Sequence, residues 1–412
     1  MTTIHILHYA GPPTIGGVEI TIAHHARVLA ARGFRVQVIA GQGEKFHPEV
    51  AFLQIPEAGS RHPEVLAVGE ELAAGKVTPR FEALRARLRD ALRSAVSPQD
   101  AFIVHNALTL HKNLPLTAAL YDLAEAGYHL VGWCHDFAWL DELYIPKLHP
   151  GFPWDLLRTP WPNTRYVVVS EHRRGQLASL LGIAKSKIEV VPPGVAPEQL
   201  LRLGPFARRL ADELGLWKAE PLLLLPARIT RRKNIQFAIR VVAALRDHFP
   251  NPTLVVTGPP GPHNPTNAAY LAQLRALRAE LGLEGNVHFL YEHGEGGEPL
   301  LVDDELLAQL YALADALLFP SLREGFGMPV LEAGLLRLPV LAADIPPVRE
   351  SAGETATLFD PQGDPAEAAA RIAERLRSDP IYRLHRRVLN HYTWDAIIDN
   401  LVIPLLTEHR SP

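Results

Sequence analysis

Cysteine occurs once in the 412 residues, as Cys134, so the chain has no intramolecular disulfide and no thiolate cluster for a metal, and a reducing, cytoplasmic setting is expected. A basic excess is missing too. The formal charge is -4 at neutral pH, which leaves no positive field to hold nucleic acid or an anionic membrane surface. No apolar run approaches the roughly 20 residues that span a bilayer, and the opening MTTIHILHYAGPP carries no basic segment and too short an apolar stretch for a signal peptide. An integral membrane segment is therefore not expected. The dinucleotide fingerprint G-x-G-x-x-G occurs nowhere, which argues against a dehydrogenase.

What is present is an ordinary globular composition, 47% hydrophobic and 21% charged, in a chain long enough for two domains with a core each. Short apolar runs alternate with longer helical patterns, as in an α/β fold with mostly parallel strands. IHILHY, FRVQVIA, AFIVHN, HLVGWCH, YVVVS and IEVVPP read as strands, separated by amphipathic stretches such as 18–32, 79–94 and 114–126. The pattern restarts at PLLLLPAR and runs through a helix over 234–248, TLVVTG, a helix over 268–281, NVHFLY, a helix over 303–313 and ALLFPS. The chain thus reads as two Rossmann-like halves, residues 1–195 and 200–392, joined through the proline-marked VVPPGVAPEQ. A last helix, over 394–409, is expected to pack back onto the first half. The oligomeric state is not legible.

Ligands of open α/β sheets bind outside the carboxyl ends of the strands, so the residues just after strands matter most. After the first strand, AGPPTIGGVEIT puts Gly16 and Gly17 where a backbone can approach a ligand, and a helix start near Val18 offers free N–H groups to an anion. A glycine turn that merely opens a helix explains the same residues. After the first strand of the second half, ARITRRKNI brings Arg228 and Lys233 to a helix start, which suits a diphosphate and, equally, a solvated basic loop. REGFGMPVLEAG, residues 323–334, carries Glu324 and Glu332 around an apolar stretch, with Met328 and Pro329 opening a helix and both acids at the mouth of a cleft. Gly325 and Gly327 leave backbone N–H groups accessible, while carboxylates accept hydrogen bonds from paired hydroxyls. Together these features imply a ligand that is both a sugar and a diphosphate. A nucleotide sugar is such a ligand.

These residues resemble the retaining GT-B glycosyltransferases of family 4, also called glycosyltransferase group 1. The resemblance runs over essentially the whole chain and is strongest over residues 313–350, where FPSLREGFGMPVLEA follows a predicted strand and precedes PVLAAD. The upstream order of GGVE, HD, VVSEHRR, PPGV and R-x4-K matches as well. It implies two Rossmann-like domains facing across a cleft that closes on its substrates, and transfer of a hexose, glucose or mannose, from a UDP- or GDP-sugar to a hydroxyl. By position, Glu324 resembles the acid that contacts the donor sugar, with Gly325, Phe326 and Gly327 supplying backbone contacts and Met328, Val330 and Leu331 completing the donor segment. Glu332 resembles the residue that holds the ribose diol, Arg228 and Lys233 the pair that neutralises the diphosphate, and Gly17, beside Gly16, the loop glycine near the distal phosphate. His135 resembles the cleft histidine near the anomeric end, although a histidine beside Asp136 also reads as a structural hydrogen-bonding residue. In retaining members the departing phosphate oxygen takes the acceptor's proton, so Glu324 positions the donor rather than acting as a base.

The first half offers His105, Asn106, Lys112, Asp136 and Arg173 near strand ends, which suit a small anionic acceptor such as a sugar acid or sugar phosphate; solvated charges at helix starts explain them as well. No cofactor beyond the nucleotide-sugar co-substrate is expected, and no metal. Nowhere are two Asp separated by one residue, and Asp303 and Asp304 read as a helix cap. The family's usual Asn-Gly-Val is Pro193-Gly194-Val195 here, and the usual glycine before Pro-Val is Leu338. The Gly-rich GEGGEPLLV lies near where family members hold the base, which leaves uridine and guanosine both open. A non-hydrolysing nucleotide-sugar epimerase and a catalytically silent nucleotide-sugar sensor are the alternatives.

Overall fold

The computed structural model describes residues 3–14, 16–261, 266–294, 296 and 298–407. Glu295 and Gly297 of the Gly-rich stretch, and residues 408–409 of the expected last helix, lie outside them. Strands buried on both faces need near-continuous apolar runs, and the chain supplies thirteen among the described residues. Seven are β1 (Thr3–Ala10), β2 (Arg35–Gln42), β3 (Val50–Gln54), β4 (Ala101–His105), β5 (Leu130–Cys134), β6 (Thr164–Val168) and β7 (Ile188–Val190). They form one parallel sheet in the order β3-β2-β1-β4-β5-β6-β7.

The other six are β8 (Leu222–Leu225), β9 (Thr253–Val256), β10 (Val287–Phe289), β11 (Ala316–Phe319), β12 (Val340–Ala343) and β13 (Thr357–Phe359), ordered β10-β9-β8-β11-β12-β13. All their pairings are parallel. In each sheet the strand order reverses once beside the first strand, between β1 and β4 and between β8 and β11. Those reversals open crevices at the carboxyl ends, and they decide where ligand-binding loops gather.

The chain divides into two compact units, Met1–Val195 with His391–Pro412, and Ala196–Asn390. The first therefore holds a segment from the far end of the sequence. Val195 bridges Thr393, and Trp394 beyond it is buried, stacked on His24 with ring centroids 4.8 Å apart. From there Trp394–Ile397, Ile398–Val402 and Ile403–Thr407 continue as helical turns whose Ile397, Ile398, Val402 and Leu405 join the core beneath β1 and β2.

Candidate functional site

In the second unit, the loop after β8 and the loop after β11 meet at an ion pair. The backbone N–H of Leu322 donates to the carbonyl of Arg232 at 2.8 Å, which ties the two loops together. Lys233 Nζ then donates to Glu324 Oε1 at 2.5 Å, and Arg232 Nη1 to Glu324 Oε2 at 3.1 Å. The Lys233 and Glu324 side chains are only 10% and 9% exposed, so the pair is shielded from solvent. Burial pushes the Glu324 carboxyl up, but the bond and charge of Lys233, with the charge of Arg232, outweigh it and hold the group below the ordinary carboxylate range. Asn234 takes the left-handed conformation, φ 52°, that turns this loop into the helix Ile235–Leu245, and its amide donates to Pro361 O at 2.8 Å. Arg228 is exposed on the same loop.

After Glu324 the backbone turns through Gly327 at φ 101°, a conformation open to glycine at little cost, into the helix Met328–Leu335. Pro329 occupies the first turn, as expected. Gly325, Phe326, Met328 and Leu331 are exposed there, whereas Val330 is buried in the core. Glu332 lies in the second turn, where its Oε2 accepts from the buried Tyr311 hydroxyl at 2.6 Å. Asp303 caps the preceding helix, Asp304–Leu313, by accepting from Leu306 N at 2.8 Å, which gives that acid a structural partner.

In the first unit, Gly16 is the extended residue before the helix Gly17–Ala31, and Gly17 its first residue. The Glu19 carboxylate lies over Gly16, 3.9 Å from His8 Nε2, so the anion at this helix start is the protein's own. After β4, Asn106 is left-handed at φ 60°, and its Oδ1 accepts from the backbone N–H of His135 at 2.8 Å and of Asp136 at 3.3 Å. His105 Nδ1 meets His135 Nε2 at 3.0 Å. Both His105 and Asn106 are buried, and these two residues, expected against the acceptor, use His105 Nδ1 and Asn106 Oδ1 to hold the His135 loop. Asp136 takes the guanidinium of Arg173 at 3.0 Å. Burial, with the charge of His8 and Arg173 nearby, lowers His135 to about 4, and burial holds His105 well below its ordinary value. His135 is thus a neutral ring at working pH.

A cavity of about 900 Å³ opens beside Gly16 and His8. Its wall includes the expected Lys112 together with Arg61, His62, His111 and Lys147, and the carboxylates of Glu19 and Glu70. Burial, then the charges of Lys147 and Lys112, hold His111 below its ordinary range. Arg61 and Lys147 had no local signal in the sequence, because they come from loops after β3 and β5 that only the sheet order brings near Gly16. Arg232 stood within ARITRRKNI, but its carboxylate partner is 92 residues away. Among the described residues no three His, Cys, Asp or Glu side chains are grouped to hold a metal ion. No described helix is long and apolar enough to cross a membrane.

Residues 15–199 match the model of Glycosyltransferase Family 4, and residues 208–390 that of Glycosyl transferases group 1. A D-inositol 3-phosphate glycosyltransferase of Nocardia farcinica is 28% identical over 83% of this chain and 73% of its own length. The protein of that name from Thermomonospora curvata is 28% identical over 96% of this chain and 91% of its own. A 2-deoxystreptamine glucosyltransferase of Streptomyces kanamyceticus is 30% identical over 58% and 57%. The two models together span most of the chain, and the protein belongs to the family 4, group 1 glycosyltransferases.

Proposed function

We propose that this glycosyltransferase moves a hexose, glucose or mannose, with retention, from a UDP- or GDP-sugar to a hydroxyl of a small anionic acceptor of the sugar-phosphate kind. Breaking the bond between anomeric carbon and phosphate builds positive charge on the ring and negative charge on the departing diphosphate. Cations already in place at the diphosphate favour that transition state over the ground state. Arg228 and Lys233 take this role. Glu324 keeps Lys233 oriented before the donor arrives and accepts hydrogen bonds from the sugar hydroxyls, while Glu332 accepts from the ribose diol.

The acceptor oxygen bonds to the anomeric carbon on the face the diphosphate leaves, and its proton passes to the departing phosphate oxygen. No enzyme base is needed on that route. A neutral His135 fits it as a hydrogen-bonding partner of the transferred sugar, and cofactor and metal are both dispensable.

The observation that carries the acceptor class is the cavity beside Gly16, whose wall gathers Arg61, Lys112 and Lys147 from three loops. The names of the two inositol-phosphate relatives support the same class. Membership in a transferase family weighs against the epimerase and sensor alternatives. The test offers UDP- and GDP-hexoses with inositol phosphates, hexose phosphates, glycerate and neutral polyols of matching size, followed by mass detection. Release of one nucleotide with an anionic product one hexose heavier is expected. Equal rates on neutral and anionic acceptors of one size would remove the anionic class, and an inverted anomeric product by proton NMR would remove retention.

A further inference from the structure

Glu332 alone cannot hold a vicinal diol in one orientation. Its carboxylate stands on a partly exposed helical turn, and a glutamate's terminal torsion is a broad, two-fold well. The Tyr311 hydroxyl supplies the missing constraint. It comes from the helix Asp304–Leu313, 21 residues upstream, and donates to Oε2 at 2.6 Å, the length of a charge-assisted bond. Among the described residues no other side chain bonds this carboxylate, so Oε1 and one lone pair of Oε2 are left for a ligand.

The tyrosine ring is itself fixed. It is 2% exposed and packs in the core with Leu310, Leu317, Phe319 and Val330. Burial, then the bond to Glu332 and its negative charge, push the phenol well above its ordinary range, so the hydroxyl keeps its proton and remains a donor throughout the working range. A rigid donor on a buried ring therefore fixes an acceptor on a surface turn.

We infer that Tyr311 is the positioning residue of the donor site: its hydroxyl orients the Glu332 carboxylate so that the remaining oxygen faces both hydroxyls of the nucleotide ribose. The inference rests on the reading of Glu332 as the ribose residue. It adds a specificity consequence, because discrimination between ribo- and deoxyribonucleotides then depends on a residue that does not touch the ligand. In the core, removing the ring would leave a cavity. Tyr311→Phe keeps the ring and deletes only the donor.

The test measures binding of UDP, GDP, 2′-deoxy-UDP and 2′-deoxy-GDP by calorimetry to the wild-type chain, Tyr311→Phe and Glu332→Ala. For the nucleotide that binds, wild type should prefer the ribo form by about 10-fold or more. Tyr311→Phe should weaken the ribo form by roughly 5- to 10-fold and the deoxy form by less than about 2-fold, so the preference collapses. In turnover its donor KM should rise while kcat stays within about 2-fold. Equal weakening of both forms would make Tyr311 a purely structural residue and overturn the inference, as would an unchanged ribo affinity. If Glu332→Ala keeps the wild-type preference, the ribose reading of Glu332 itself fails, and that result is read without Tyr311. Binding of neither nucleotide would overturn the donor reading as a whole.

Discussion

Lys233 and Glu324 stand 91 residues apart, and each was given a separate task by its motif: the lysine a diphosphate, the glutamate a sugar hydroxyl. The fold joins them into one shielded pair, which makes each the other's support. Lys233→Met should then do two things. It removes a cation from the leaving group, so kcat should fall about 100- to 1000-fold, roughly 3–4 kcal/mol of transition-state stabilisation. It also strips Glu324 of the larger of the two charges that hold its pKa down, which leaves burial, acting in the opposite direction, less opposed. The acid limb of the residual pH–rate profile should move to higher pH. Lys233→Met with wild-type kcat would sink the leaving-group assignment; an unmoved acid limb would sink the pairing. His105 and Asn106 teach a related lesson. Their types and their place after β4 suited ligand contact, and only burial revealed them as the scaffold of the His135 loop.

At the level of elements, what was legible follows from burial. β1, β4, β5, β8 and β11 lie inside their sheets and are mostly apolar, so each was readable within a few residues. β3 is an edge strand with mixed exposure, and its apolar VAFL was not singled out as a strand. β13, at an edge of the second sheet, is three residues long, too short to show a period. The donor segment was readable because its chemistry is local, a glycine turn leading into a helix that starts with proline. Of the cavity wall's cations Lys112 was readable, but Arg61 and Lys147 were not, because they arrive from loops far from it in sequence.

The C-terminal turns pose an energetic question at the same scale. Trp394 is 5% exposed, whereas Arg32, which bonds Asp395 at 2.7 Å and Asp399 at 2.8 and 2.9 Å, works among half-exposed carboxylates. Burial should win over charge. Trp394→Ala should cost the first unit about 3–5 kcal/mol and lower its melting transition by roughly 10 °C. Arg32→Ala should cost no more than about 1 kcal/mol, since solvent screens its pairs. Calorimetry on the two variants checks the order; comparable losses would mean that the ion pairs anchor the segment.

For the whole molecule, the uneven placement of buried histidines sets the response to acid. In the first unit, burial is the leading cause that holds His8, His24, His25, His105 and His135 below the ordinary 6.5, His25 at about 3 and His135 at about 4. A histidine whose folded pKa is depressed stays neutral while the unfolded chain takes up a proton. Its contribution is complete above pH 6.5 and is lost as pH falls toward the folded value, at about 1.4 kcal/mol per unit. By pH 5 each well-buried histidine of this set should have cost the first unit about 2 kcal/mol. In the second unit His288, lowered to about 4, and His385, held down first by burial, act in the same direction, but Asp315 opposes them. Burial raises Asp315 to about 6 from 3.8, so the folded state takes up that proton first, and its stabilisation grows as pH falls from 6 toward 3.8. The two units should therefore part company in acid. Between pH 7.5 and 5 the melting transition of the first should fall by roughly 10 °C or more, and that of the second by less than half as much. Scanning calorimetry, with transitions assigned by hydrogen exchange corrected for intrinsic rates, measures both. Parallel shifts would show that the histidine cluster is not neutral in the folded state, and would equally undo the argument that His135 is uncharged at working pH.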